Sequence, residues 1–120
     1  MKPAQRAALA AAALLLCTAA VGCELVMAAH PDGRELARAP LDPAVPALTV
    51  AFVHSVLGTP VEDHYRFRPG PDGWRAHLVA ERFQGDGYGL PHTAGPGERL
   101  RRDGSGWRLE TDRLVHPLVV

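Results

Sequence analysis

Beyond residue 22, turn signals divide the chain into short segments, and no segment keeps a helical spacing of apolar residues. Pro-Asp-Gly occurs at residues 31–33 and 71–73, and Asp-Gly-Ser-Gly occupies residues 103–106. Between the turns, apolar and polar residues alternate, as they do in half-buried strands. About seven short strands with turns roughly every 8 to 12 residues are typical of a small antiparallel sandwich or barrel. We therefore predict an all-β domain over residues 23–120.

The segment ALTVAFVHS, residues 47–55, carries the strongest strand signal because it is rich in branched and aromatic side chains. A glycine-rich loop, residues 84–98, separates the last long strand segment from a predicted hairpin. The chain ends in the apolar run RLVHPLVV. The remaining predicted strand segments are CELVMAA, ELARAPL, VEDHYRFR, WRAHLVAERF and the two arms of RLRRDGSGWRLETD.

Residues 1–22 have the composition of an export signal. Lys2 and Arg6 precede the apolar run of residues 7–21, and the first acidic residue is Glu24. This order is typical of a secretory signal peptide. The run is shorter than the roughly 20 residues that span a bilayer, and an uncleaved anchor helix is the main alternative. We predict a signal peptide or membrane anchor, and a β-domain exported to the cell envelope or periplasm.

Cys23 follows a small residue, Gly22, in the tetrapeptide AVGC. A lipoprotein signal has a small residue directly before the cysteine that receives the lipid, which makes Cys23 a candidate lipidation site. Ordinary signal peptidase also accepts small residues here. The alternative is that Cys23 is simply a residue of the first strand, since almost no spacer separates the two. Because Cys17 lies within the signal, the mature chain has one cysteine and no internal disulfide.

The charge balance excludes an electrostatic reason for nucleic-acid binding. The chain has 13 basic and 13 acidic residues, and removal of residues 1–22 leaves 11 arginines against 13 acids, a formal charge of −2. The six histidines form no pair at the spacing of metal ligands, so we predict no metal site. No motif implies a cofactor.

The stretch HSVLGTPVEDHY, residues 54–65, places polar residues on strand faces that are otherwise apolar. By alternation, His54 shares a face with Phe52, and Asp63 shares a face with Tyr65. We predict that His54 and Asp63 meet across a hairpin, because a carboxylate on an apolar face needs a partner. The pair is either an ion pair that fixes the hairpin register or part of a ligand site.

Ser55 cannot act as a nucleophile activated by His54, because adjacent strand residues point to opposite faces. We expect its hydroxyl to cap the following turn. Gly87 and Gly89 either belong to a mobile loop or let the backbone approach a bound group, with Tyr88 as a lid. The candidate ligand-binding residues are His54, Ser55, Asp63, Gly87 and Gly89.

Three stretches, AFVHSVLGTPVEDHYRF, LVAERFQGDGYGLP and DGSGWRLE, resemble the bacterial domain of unknown function 1850 family. The resemblance covers most of residues 23–115, and the first motif is the most specific. Asp63 stands where the family more often has glutamate, and the chain is shorter at its C-terminus than typical members. The residues that carry the resemblance are His54, Ser55, Val56, Pro60, Val61, Asp63, Gly87, Gly89, Leu90 and Pro91.

Members of this family have no settled biochemical activity, and they are often encoded beside permeases of tripartite ATP-independent periplasmic (TRAP) transporters. The resemblance therefore implies an exported, membrane-associated accessory protein of solute uptake. Its expected partners are a TRAP permease or solute receptor and a small-molecule ligand. The alternatives are an envelope hydrolase-like enzyme, with His54 as general base and Asp63 orienting it, and a purely structural lipoprotein.

Overall fold

The structure, a computed structural model, describes residues 22–120. This part of the chain contains seven strands in two antiparallel sheets and no helix, which confirms the predicted all-β fold. The predicted signal or anchor segment lies almost entirely in residues 1–21, outside the described residues. Within residues 22–120, no helix has the length and apolar character needed to cross a membrane.

The described residues divide into two units, residues 22–40 and Leu41–Val120. Strands β1 (Cys23–Ala28) and β2 (Glu35–Leu41) form a two-stranded sheet that belongs to the first unit, apart from its last residue, Leu41. Asp32 shapes the turn between these strands by accepting a hydrogen bond from the backbone N–H of Arg34 at 3.1 Å.

The second unit contains five strands: β3 (Ala47–Val53), β4 (Pro60–Gly70), β5 (Gly73–Phe83), β6 (Arg99–Asp103) and β7 (Gly106–Val115). They form one antiparallel sheet with the order β3-β4-β5-β7-β6. The sheet does not close on itself, because β3 and β6 are its two edges; the predicted barrel is thus not formed by this sheet. The predicted final run RLVHPLVV is not a separate strand, since β7 continues through Val115.

A β-bulge in β5 changes which side chains face the core. His64 lies opposite Ala80 and Tyr65 opposite Leu78, so Val79 is an additional residue with no partner on β4. Before the bulge, even-numbered residues of β5 lie on the same face as Tyr65. After it, the odd-numbered residues do so, and Glu81 joins the apolar face.

The apolar face carries two separate clusters of buried side chains. Cluster 1 lies near the end of the sheet where β4 begins, and cluster 2 lies further along β4. Partly buried Leu100 of β6 packs against cluster 1, whereas Leu48 and Val50 of β3 pack against cluster 2. The buried members are Val61, Phe83, Leu90 and Leu109 in cluster 1, and Tyr65, Ala76 and Leu78 in cluster 2.

Candidate functional site

His54 caps the turn between β3 and β4, residues 54–59, with its own imidazole ring. Its Nδ1 accepts hydrogen bonds from the backbone N–H groups of Val56 and Leu57, each at 3.2 Å. Its Nε2 lies 3.1 Å from the carbonyl oxygen of Tyr88. A ring nitrogen that accepts two N–H groups carries no proton, so this geometry assigns the neutral tautomer in which Nε2–H donates to Tyr88.

The glycine-rich loop adopts backbone conformations that favour glycine. Gly87 and Gly89 have φ values of 75° and 86°, and Tyr88 between them has φ 53°. A positive φ is strained for a bulky side chain such as tyrosine. Leu90 anchors the loop: its N–H donates to the carbonyl of Gly87 at 3.1 Å, and its side chain is buried in cluster 1. Tyr88 itself, between the two glycines, is 69% exposed.

The predicted contact between His54 and Asp63 does not form. Asp63 lies opposite Val50 in the β3–β4 register, four residues from His54 along β3. At about 3.3 Å per residue, the two side chains are roughly 13 Å apart along the strand. The predicted contact requires a register that would bring Asp63 opposite the end of β3, whereas the observed register places Asp63 opposite Val50. The general base and orienter that an enzyme would need from this pair are therefore not adjacent.

Ser55 does not have the capping role that we predicted from its hydroxyl, because the imidazole of His54 accepts the hydrogen bonds of the turn. Ser55 is exposed beside it. His54 and the glycine-rich loop are brought together by the hydrogen bond to Tyr88, whereas Asp63 belongs to a different group of side chains. Whether His54, Ser55, Asp63, Gly87 and Gly89 bind a ligand stays a prediction.

Asp63 faces Glu81, which sequence reasoning missed. The two residues are opposite each other on β4 and β5, on the apolar face. Directly opposed side chains have Cβ atoms about 4.5–5.5 Å apart, and like charges there repel. Burial, followed by hydrogen bonding to Asp63 and its charge, raises the pKa of Glu81 from 4.5 to about 7, and Arg113 opposes this rise.

The geometry explains how two carboxyl groups share this position. Oδ1 of Asp63 is buried and has no hydrogen-bond partner among the described residues. A protonated Glu81 would donate to it and remove one negative charge. Burial, and then the charges of Asp63 and Glu81, raise the pKa of Tyr65. The pair lies between Val61 and Tyr65 on β4, so it forms a polar division between the two apolar clusters.

The opposite face of the sheet is covered by paired charges. Arg82 binds Asp103 at 2.8 Å and Glu62 at 3.4 Å, beside a depression of about 220 Å³. Asp112 binds both Arg68 and His77. These partly exposed pairs contribute little to stability individually.

In residues 22–120, no group of three or more His, Cys, Asp or Glu side chains is placed to hold a metal ion. Cys23, the candidate lipidation site, is a free cysteine at the first position of β1. No flexible tether separates it from that strand.

The chain belongs to a family of proteins of unknown function. The model of the family described as "Domain of unknown function (DUF1850)" matches residues 48–119, which confirms the resemblance seen in the sequence motifs. The match covers the five-stranded sheet, the His54 turn and the glycine-rich loop. No curated protein and no solved structure matches the chain.

Proposed function

We propose that this chain is a non-enzymatic binding module of the bacterial cell envelope and an accessory protein of a TRAP-type solute transporter. The N-terminal segment would hold it at the membrane. The sheet and the His54 turn would present a surface that docks to the permease. The support that family membership gives to the accessory role is indirect: the resemblance implies that the genes of such proteins often lie beside those of TRAP permeases.

The observation that carries the proposal is Tyr88. It is an aromatic residue in a left-handed conformation, and 69% of its surface is exposed. Such backbone strain costs on the order of 1–3 kcal/mol and persists where the surrounding structure enforces it, commonly at binding sites. Here the imidazole of His54 and the buried side chain of Leu90 enforce it. Exposed tyrosine is also a frequent anchor of protein interfaces.

The shape of this surface favours a protein over a small solute. Pockets for small ligands are typically about 300–1,000 Å³ and enclose most of the ligand. Two depressions among the described residues, of about 220 and 410 Å³, are open to solvent and are lined by residues other than Tyr88. Tyr88 and Val56 are instead exposed on the glycine-rich loop and on the His54 turn. A flat or concave protein surface fits this arrangement.

The experiment is co-purification of the full chain with a TRAP-type permease from the same organism, extracted together in mild detergent. We expect Tyr88→Ala to reduce recovery of the permease at least about tenfold, the loss that removal of an interface anchor causes. The matched control is Trp74→Ala. Trp74 is also an exposed aromatic, at 52%, but lies at the far end of the β4–β5 hairpin, roughly 30 Å away.

An equal loss of permease with Tyr88→Ala and Trp74→Ala would contradict docking through this surface. Failure of the wild-type chain to recover the permease would overturn the accessory role itself. The same co-purification with the solute receptor of the transporter in place of the permease tests whether the chain docks to the receptor instead. Melting curves of both variants must match the wild type, so that a loss reports binding and not unfolding.

A further inference from the structure

The edge strand β3 lacks the charged residues and the proline that normally keep a sheet edge from pairing. Its sequence, ALTVAFV, contains no charged residue and no proline. Its end is exposed: Phe52 is 46% and Val53 67% accessible. Val45, just before the strand, is 46% accessible. Exposed, uncharged, apolar edge strands pair readily with another strand, and natural proteins usually protect them.

The opposite edge, β6, is protected in the usual way. Four of its five residues, in the sequence RLRRD, are charged. Arg101 pairs with Glu110 at 2.7 Å, and the guanidinium of Arg102 lies over the ring of Trp107 at 4.3 Å. The sheet therefore has one edge, β6, whose charged side chains suit exposure to solvent, and one edge, β3, whose composition suits pairing with another strand.

The hydrogen bonds of β3 show which of its backbone groups are free to pair. The N–H of His54 donates to Thr59, and the carbonyl of Pro46 accepts from Phe67, so even-numbered residues face β4. In an antiparallel ladder the alternate residues point the other way. In the part of the chain that the structure describes, β3 pairs only with β4. The residues whose backbone groups point outward from the sheet are Ala47, Thr49, Ala51 and Val53.

We infer that β3 forms the interface of a homodimer, in which two copies of the chain pair antiparallel, edge to edge, about a two-fold axis at Val50. This inference does not depend on the proposed docking to a permease.

The register of this dimer follows from the pattern of the strand. With Val50 opposite Val50 of the second copy, Thr49 lies opposite Ala51 of that copy, and Ala47 opposite Val53. Every outward-pointing residue then meets an outward-pointing residue, and about eight backbone hydrogen bonds form. This register also pairs all seven residues of the strand with one another.

The side chains in this register are complementary. On the apolar face, exposed Phe52 packs against Leu48 of the second copy, and the two Val50 side chains meet at the axis. Because the strand has no charge, no like charges are brought together by self-pairing, which would otherwise oppose it. An isologous contact of this kind closes after two copies and leaves no free edge at β3. These features favour a second copy over a strand of unrelated sequence.

The first experiment is disulfide trapping in the full chain, with Cys17→Ser and Cys23→Ser as background. Val50→Cys places two cysteines at the axis, in a facing pair without hydrogen bonds, where Cα atoms are about 4.5 Å apart and a disulfide can form. Phe52→Cys is the matched control, because in this register the two copies of that residue are about 13 Å apart. We expect mild oxidation to link most Val50→Cys chains and few Phe52→Cys chains.

The second experiment blocks the edge. Ala51→Pro removes an outward N–H, and Thr49→Lys adds a charge of the kind that protects natural edges. We expect each to weaken the dimer at least roughly tenfold in sedimentation equilibrium and to reduce the Val50→Cys disulfide. If the proline of Ala51→Pro also disturbs the pairing of β3 with β4, Thr49→Lys still tests the dimer.

A chain that sediments as a monomer at all concentrations, with no Val50→Cys disulfide, would overturn the inference. Equal linking of both cysteine variants would also overturn it, because collision or another interface would then explain the disulfides. A dimer that survives both edge-blocking changes would place the interface elsewhere.

Discussion

The two edge strands of the five-stranded sheet differ in charge, in exposure and in the cluster that supports them. β3 is uncharged and exposed, and it packs against cluster 2 through Leu48 and Val50. β6 is mostly charged, and it packs against cluster 1 through Leu100. Each is the last strand on its side of the sheet. The two edges therefore differ in their side chains, and this difference is the reason we propose β3, and not β6, as the interface.

The largest expected effect on stability distinguishes residues of β3 whose backbone groups face β4 from residues whose backbone groups point outward. Val50→Pro removes an N–H that faces β4, and we expect it to lower the free energy of unfolding by about 3 kcal/mol or more. Ala51→Pro removes an outward N–H and should change it by less than about 1 kcal/mol. Urea unfolding at low protein concentration, where dimerisation contributes little, measures both. Equal losses would mean that the assignment of inward and outward residues is wrong.

The next effect is a pH dependence of stability that arises from the carboxyl pair Asp63 and Glu81, which lies between cluster 1 and cluster 2. The folded state raises the pKa of Glu81 to about 7, so its contribution to stability is fully present below pH 4.5 and is lost as the pH rises toward 7. One pKa unit is about 1.4 kcal/mol, and solvent screening of this half-exposed pair reduces the total, so we expect a loss on the order of 1–2 kcal/mol.

Glu81→Gln is the control for this pH dependence, because glutamine does not titrate. The difference in unfolding free energy between wild type and variant should change between pH 4.5 and 7 and be constant above that range. Chemical denaturation across this range tests it. A constant difference at every pH would show that Glu81 ionises as it does in the unfolded chain.

A smaller effect distinguishes the observed contacts from the contact predicted from sequence. In a double-mutant cycle, Asp63→Ala and Glu81→Ala should couple by about 0.5 kcal/mol or more, because the side chains face each other. Asp63→Ala and His54→Ala should be additive within about 0.5 kcal/mol. Thermal or urea unfolding of the single and double variants gives both values. The reverse result would restore the His54–Asp63 hairpin pair and contradict the β3–β4 register.

The smallest effect is expected at the protected edge. Arg102→Ala removes the cation–π contact with Trp107 and should cost about 0.5–1 kcal/mol. It leaves the other charges of β6 in place, so the mass of the protein in sedimentation should not change. An increase in association with this variant would mean that a single arginine protects β6, and that the two edges differ less than their composition indicates.

Much of the fold could be predicted from alternation and turn residues, because both act locally. The strands of the sheet and the common face of Asp63 and Tyr65 follow from a period of two. The register between β3 and β4 does not follow from alternation, since it depends on the length of the turn that joins the two strands. The hydrogen bonds from the amides of Val56 and Leu57 to the His54 ring depend on the length of the turn, which could not be predicted from the sequence.

Glu81 could not be found by alternation for a related reason. Strict alternation along WRAHLVAERF places Glu81 with Arg75 and His77 on the polar face. The bulge at Val79 reverses this and brings Glu81 opposite Asp63. The residues that form a bulge carry no strong signature, and only pairing with β4 shows it. Phe83, which is buried and on the same side as Glu81, was the one available signal.

The contrast between the edges is tested most directly by hydrogen exchange of individual backbone amides in the full chain. We predict that, at high protein concentration, the outward amides of Thr49, Ala51 and Val53 exchange as slowly as the inward amides of Val50 and Phe52. On dilution they should exchange rapidly, while the amides of β6 that face away from β7 exchange rapidly throughout. Outward β3 amides that exchange rapidly at every concentration would contradict the account.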